Sequence, residues 1–380
     1  MKSFLSAVGP GRSGLPRRDP FWQRIHVDPW LLVLVLILAT VAGFVLYSAS
    51  SKSMATLYRQ GAAYCVGLAV MLAIAQFRPR FMERWVPVAY VGCLLLLAAV
   101  LLVGTEAKGA QRWLTIPGVM RFQPSEIMKL VMPMAVAWYL ARRNLPPGFK
   151  YICGTLVIIL LPMVLILKQP DLGTSLLVGL SGLFVLLLAG LRWRYIIGAA
   201  VLLVPIAMAM WFFVLHEYQQ RRVLTFLNPE SDPLGAGWNI IQSKAAIGSG
   251  GVFGKGWLQG TQSHLDFLPE GHTDFIIAVL AEEFGMVGVC LLLMVYLLII
   301  ARGLFITLQA QDTFSKLLAG SITLTFFIYV LVNIGMVSGL LPVVGVPLPL
   351  ISYGGTSLVT LLSGFGILMS IHTHRKWMVQ

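Results

Sequence analysis

The sequence predicts an all-α integral membrane protein, with ten transmembrane helices and a large extracytoplasmic loop between the seventh and eighth. Three observations carry this. The 380 residues are 58% hydrophobic and only 11% charged, where an ordinary soluble domain carries about 25% charged residues; mean hydropathy is +0.83. Apolar runs recur at span length, because roughly 20 residues rising about 1.5 Å each cross ~30 Å of hydrocarbon. Lys and Arg crowd onto one set of alternating loops, the pattern that orients membrane helices.

The apolar segments are, approximately, 29–49, 60–77, 85–104, 124–141, 151–168, 172–190, 195–216, 273–301, 317–338 and 353–372. An even number puts both termini on one side. That side collects Lys2, Arg12, Arg17, Arg18, Arg24, Arg78, Arg80, Arg84, Arg142, Arg143, Lys150, Arg192, Arg194, Arg302, Lys316, Arg375 and Lys376 against Asp19, Asp28, Glu83 and Asp312. It is therefore expected to be cytoplasmic. The positive-inside pattern explains the net charge of +13, so no nucleic-acid partner is needed. Residues 1–27 read as a basic cytoplasmic tail, 28–372 as one membrane domain with an outer loop at 217–272, and 373–380 as a second cytoplasmic tail. The N-terminus lacks the apolar core and small-residue cleavage site of a signal peptide. Cys65, Cys93, Cys153 and Cys290 each sit in apolar sequence without metal or redox spacing; they read as reduced packing residues. The cytoplasmic loops are short and carry no Gly-rich phosphate motif, which disfavours a nucleotide-driven pump.

Polar chemistry thus concentrates outside. In "FQPSEIMKL" Pro124 suits a helix start, and Glu126 and Lys129 stand at i,i+3 on one face. Two readings coexist: a neutralising salt bridge, or the charged wall of an outward cavity that meets an anionic substrate. Arg112 lies in the loop before them. In "LKQPDLGTS" Asp171 either caps the next helix or points at Lys129 or at substrate. The long loop offers Arg221, Arg222, Lys244 and Lys255 between two Gly-rich pieces, "LGAGW" and "IGSGGVFGKGW". Glycines permit close backbone approach and exposed N–H donors, and Arg and Lys suit a pyrophosphate or sugar phosphate. "LPEGHTDFIIAVLAEEFG" gathers Glu270, His272, Asp274, Glu282 and Glu283 at the mouth of the eighth span. The pair Glu282 and Glu283, two turns further in, reads first as structural ion pairing. "GLLPVVGVPLPLISYGGTS" breaks regular helix before Ser352, and non-helical backbone at this depth must rest on protein or line a wet cavity.

These motifs, together with "NPESDPLGAGWNIIQSKAAIGSGG" and "GKGWLQGTQSHLDFLPEGHTDF", resemble the SEDS family, the shape, elongation, division and sporulation proteins of the RodA/FtsW/SpoVE group. The likeness covers essentially all of 28–372, and its wording is closer to the elongation branch. It implies a multi-pass protein of the bacterial cytoplasmic (inner) membrane, active site outward, that polymerises lipid II into glycan during cell elongation and rod-shape maintenance. It implies as substrates lipid II and an undecaprenyl-pyrophosphate-linked glycan, and as partner a class B penicillin-binding protein, the transpeptidase. It also implies that the essential acid of the "HTDF" motif is Asp274.

An inverting displacement needs one general base opposite the leaving group. Desolvation at a membrane mouth raises a carboxylate's pKa and the helix dipole opposes it. Arg112, Lys129, Arg221, Arg222 and Lys244 are candidates to hold pyrophosphate, with Glu126, Asp171, His272 and Ser352 completing the substrate site. A divalent cation (Mg2+ or Mn2+) is a further candidate, although no metal-ligand spacing is visible. The competing readings are a lipid II flippase or transporter with the same cavity, and a non-catalytic scaffold of the cell-wall synthase complex.

Overall fold

The computed structural model describes residues 22, 25–107, 110–116, 120–213, 220, 224, 236–261 and 271–374. Each of the ten apolar segments overlaps a helix. In chain order the elements are α1 (Pro29–Ala49), α2 (Met54–Ala75), α3 (Pro79–Val103), β1 (Thr105–Ala107), β2 (Ala110–Ile116), β3 (Met120–Phe122), α4 (Pro124–Ala141), α5 (Phe149–Leu167) and α6 (Leu172–Leu188). They continue with α7 (Trp193–Phe213), α8 (Ala236–Gly250), α9 (Ile276–Gln309), α10 (Thr313–Val337) and α11 (Gly355–Thr373). Among the described residues, eight helices are long and apolar enough to cross a membrane. The two remaining predicted spans are α6, a shorter apolar helix, and α4, which carries Glu126 and Lys129.

Helix starts follow local chemistry. Asp28 caps α1 ahead of Pro29, accepting from the backbone N–H groups of Trp30 and Leu31. Pro79 and Pro124 open α3 and α4, positions where a missing N–H costs nothing. Asp171 and Asp312 cap α6 and α10 through Thr174 and Ser315. Among the eight candidate spans, α10 and α11 are the most buried; α11 packs chiefly on α2, and α10 on α9, α6 and α4. Helix α7 lies at the periphery with none of its described side chains buried.

Four features differ from the sequence expectation. The loop expected around Arg112 carries, in its described residues, a three-stranded antiparallel sheet in the order β1-β2-β3. The Gly-rich piece before Gly250 is helical as α8. The eighth predicted segment, 273–301, ends too early: α9 runs to Gln309. This places Arg302 inside the helix, where its Nε donates to Asp28 Oδ2 at 2.8 Å, a carboxylate with 0% exposure. A charge that reads as a loop cation is thus a buried tether between α9 and the cap of α1. Finally, Cys65, Cys153 and Cys290 are exposed on the helix surfaces, and only Cys93 is buried.

Helix α9 breaks at Gly285, whose φ of 66° and ψ of −164° are non-helical. The break frees backbone groups that cannot stay unpaired at this depth. Residues 250–256 supply the partners. Lys255 N and Gly256 N donate to Glu282 O and Glu283 O at 3.0 Å each, while Met286 N and Val287 N donate to Gly251 O at 3.0 Å and Val252 O at 3.1 Å. Glycine is required for this approach: a Cβ on Gly254 would stand 2.1 Å from Glu283 O. The close approach expected of "IGSGGVFGKGW" is therefore made to protein backbone.

Candidate active site

The irregular segment between α10 and α11 builds the site. Its carbonyls are taken one by one by side chains from the helices. Tyr64 Oη donates to Leu350 O, Tyr296 Oη to Pro349 O at 2.7 Å and Gln60 Nε2 to Ser352 O at 3.2 Å. Asn333, fully buried in α10, donates through Nδ2 to both Val346 O at 2.7 Å and Asp274 O at 2.8 Å. Paired in this way, non-helical backbone is tolerable at membrane depth.

Asp274 sits in the turn just before α9, half-buried. Three contacts hold that turn against the irregular segment: Asn333 on the Asp274 carbonyl, Ser352 Oγ donating to Thr273 O at 2.5 Å, and Tyr353 N donating to His272 O at 3.0 Å. Gly345, with φ of +72°, faces the carboxylate; a Cβ there would stand 3.5 Å from Asp274 Oδ2.

Gly345 also lines an open cavity of about 460 Å³, together with Arg112, Arg121, Gln123, Glu126, Lys129, Asp171 and Tyr329 among others. Lys129 Nζ donates to Glu126 Oε1 at 2.7 Å and lies 5.3 Å from the centre of the Tyr329 ring. Arg112 Nη2 donates to Pro170 O at 2.7 Å, and its Nη1 stands 3.6 Å from Asp171 Oδ2. Asp171 accepts further from Gln123 Nε2 at 3.1 Å and from Thr174 N at 3.2 Å. Asp171 caps α6 and pairs with Arg112, Glu126 pairs with Lys129, and all of them line the cavity.

The fold thus brings Arg112, Glu126, Lys129 and Asp171 to one cavity, whose wall at Gly345 faces Asp274. Other candidate residues go elsewhere. Lys244 is exposed on α8 against Gly339 and does not line this cavity. His272 is half-buried, with its ring centre 6.1 Å from that of Tyr353. Ser352, expected at the substrate, is 5% exposed and spends its hydroxyl on Thr273 O and on the N–H of Leu348; its place is in the loop's own turn. Arg221, Arg222 and Glu270 lie outside the described residues. Asn333, Gln123, Arg121 and Tyr329 were not singled out from sequence. A lone Asn inside the apolar run "YVLVNIGM" was the available signal for the first of these.

The inner acids are structural. Glu282 Oε1 accepts from Lys255 Nζ and Thr261 N, each at 2.8 Å. Glu283 Oε1 accepts from Ser48 Oγ, and from Leu258 N at 3.1 Å. They bind the 250–261 segment to the broken helix. Among the described residues, no group of three or more His, Cys, Asp or Glu is placed to hold a metal, and the two cavity carboxylates already face cations.

The "Cell cycle protein" family model of FtsW, RodA and SpoVE matches residues 27–377. The chain belongs to the SEDS family. Within it, the chain is 54% identical over 361 residues to the peptidoglycan glycosyltransferase MrdB of Escherichia coli K12, covering 95% of this chain and 97% of that one. It is 38% identical over 360 residues to the probable peptidoglycan glycosyltransferase FtsW of Geobacter metallireducens, covering 91% and 95% of the two chains. Among solved structures, a chain of a peptidoglycan synthase complex that coordinates polymerization and crosslinking matches with TM-score 0.81 at 32% identity, covering 92% of this chain and 99% of that one. The rod shape determining protein RodA of Thermus thermophilus matches with TM-score 0.69 at 30% identity, covering 92% and 98%. The SEDS chain described here therefore shares sequence and fold with these proteins over nearly its whole length.

Proposed function

We propose that this chain is a peptidoglycan glycosyltransferase that polymerises lipid II into β-1,4 glycan at the outer face of a bacterial cytoplasmic membrane, in the service of cell elongation. The observation that carries the reading is the placement of Asp274 beside a cavity whose wall holds Lys129, Arg112 and Arg121. That is the pairing of base and cations an inverting glycosyl transfer requires. The names of the relatives support the class of reaction.

In this reading the donor is a glycan α-linked to undecaprenyl pyrophosphate, and the acceptor is the sugar 4-hydroxyl of lipid II. Asp274 takes the hydroxyl proton as the acceptor oxygen bonds to the anomeric carbon. The carbon–oxygen bond to pyrophosphate breaks on the opposite face, inverting the centre. Lys129 and Arg112 stabilise the departing pyrophosphate, and the wet cavity lets their fixed positive charge act where negative charge develops. Asn333 and the turn at Thr273 fix the backbone beneath Asp274, so the base needs little reorganisation. A class B penicillin-binding protein is the partner this reading calls for, consistent with the synthase complex among the structural neighbours. Both termini are cytoplasmic, as the Lys and Arg distribution favours.

The test is polymerisation of lipid II by purified protein with its transpeptidase partner. Asp274→Asn is expected to reduce the rate about 100-fold or more, the usual range for a lost general base, with unchanged melting temperature. Wild-type rates in that variant would refute the assignment. Transport of lipid II across vesicles without any glycan product would favour the transporter reading.

A further inference from the structure

At the opposite end of α3 from the Lys129 cavity lies a second open cavity of about 440 Å³. Its polar lining is Arg78, Arg80, Asp312, Ser315, Gln311 and His374. Two helix starts converge there, α3 after Arg78 and α10 after Asp312, and both present the positive end of a helix dipole. Among the described residues, neither Arg78 nor Arg80 has an ion-pair partner. Asp312 is engaged in capping α10 through Ser315 N at 3.0 Å. Ser315 itself is 2% exposed, and its Oγ has no hydrogen-bond partner among the described residues. An orphaned buried hydroxyl is unfavourable; an acceptor oxygen in the cavity would satisfy it.

The surroundings say what kind of anion fits. Phe77, just before α3, and Phe81 and Trp85 in its first two turns follow at four-residue intervals, each about half exposed, with ring centres 5.5 Å and 6.4 Å apart. Exposed aromatics at a span end mark the level of the lipid headgroups. A small soluble anion would have no use for this stripe. A lipid would, since its phosphate reaches the arginines while its chains run along the rings.

We propose that this cavity binds the phosphate headgroup of an anionic phospholipid, with Arg78 and Arg80 on its oxygens, the Ser315 hydroxyl at its floor and its acyl chains against Phe77, Phe81 and Trp85. The site is separate from the Lys129 cavity and independent of the glycosyl-transfer reading. Its assignment to the inner leaflet rests on the orientation proposed above.

The test is lipid retention by the purified full chain, read by native mass spectrometry after delipidation and titration with phosphatidylglycerol or phosphatidylcholine. The wild type is expected to keep one phosphatidylglycerol in preference to phosphatidylcholine by about 25-fold, from roughly fivefold per basic residue near an anionic headgroup. R78Q/R80Q should abolish the preference and R78K/R80K should keep most of it. If the double Gln variant does not fold, R80Q alone carries the test, with a fivefold loss expected. Equal retention of the two lipids by wild type, or an unchanged preference in the Gln variants, overturns the proposal. So does displacement of phosphatidylglycerol by equimolar inorganic phosphate, which would mark a soluble ligand.

Discussion

Lys129 and Glu126 show how one pair serves two ends. Each is about one-tenth exposed at the side chain, and their 2.7 Å contact neutralises two charges that neither could carry alone at this depth. Yet both line the cavity, so the ammonium is held in place on its wall. Lys129→Met leaves Glu126 buried and unpaired and should cost roughly 3–5 kcal/mol, read as a lower melting temperature, along with lost polymerisation. The double variant Glu126→Leu/Lys129→Met should recover much of the stability and none of the activity. Recovery of activity would mean that Lys129 serves structure alone. Arg112 and Asp171 follow the same logic with weaker coupling, since Arg112 keeps 32% of its side-chain surface exposed.

Among the elements, the break in α9 and the segment after α10 matter most. Residues 250–256 repair the broken helix with four backbone hydrogen bonds, and glycine makes that approach possible. Gly254→Ala would push a methyl to 2.1 Å from the Glu283 carbonyl at a φ of +81°. It should destabilise by about 2 kcal/mol or more, and thermal unfolding of the purified protein would show it. The second element is tied to the base by Asn333. Asn333→Leu strips the donor from two buried carbonyls, at about 1–3 kcal/mol each. It should also lower kcat more than KM, because Asp274 loses its backbone tether while the cavity cations stay put. A change confined to KM would argue against Asn333 as a positioning residue.

On the scale of the whole molecule, the proposed orientation makes a topological prediction. In a background with all four cysteines replaced, Thr115→Cys in β2 and Asn144→Cys between α4 and α5 are both exposed positions. A membrane-impermeant maleimide added to spheroplasts should label the first and not the second. The opposite pattern would invert the topology and with it the side on which glycan is made. The Asp28–Arg302 tether makes a further one. Arg302→Met leaves a carboxylate of 0% exposure unpaired between α1 and α9, and a loss of roughly 3–5 kcal/mol is expected. The Asp28→Asn/Arg302→Met double variant should lose less in the same melting experiment.

What the sequence determined by itself was what depends on local composition and short spacing. Apolar run length located the helices, Pro and Asp marked their starts, and motif wording indicated the family. The i,i+3 spacing of Glu126 and Lys129 was enough to pair them, because a helix brings such residues together wherever it goes. Only the tertiary structure decided which distant groups meet. Arg112 reaches the Asp171 turn across 58 residues, and Gln60 reaches Ser352 across 292. No periodicity encodes those meetings, which depend on how each helix is rotated and which neighbour it packs against. The same cause explains the reassignments. Glycines suited to cradle a phosphate are equally suited to approach a broken helix, Ser352 suits a turn as well as a substrate, and Arg302 suits a loop as well as a buried tether. Asp274 was legible as an acid at a membrane mouth; that Asn333 and Ser352 hold its turn, and that Gly345 stands between its carboxylate and the cavity, became visible only once the chain was folded.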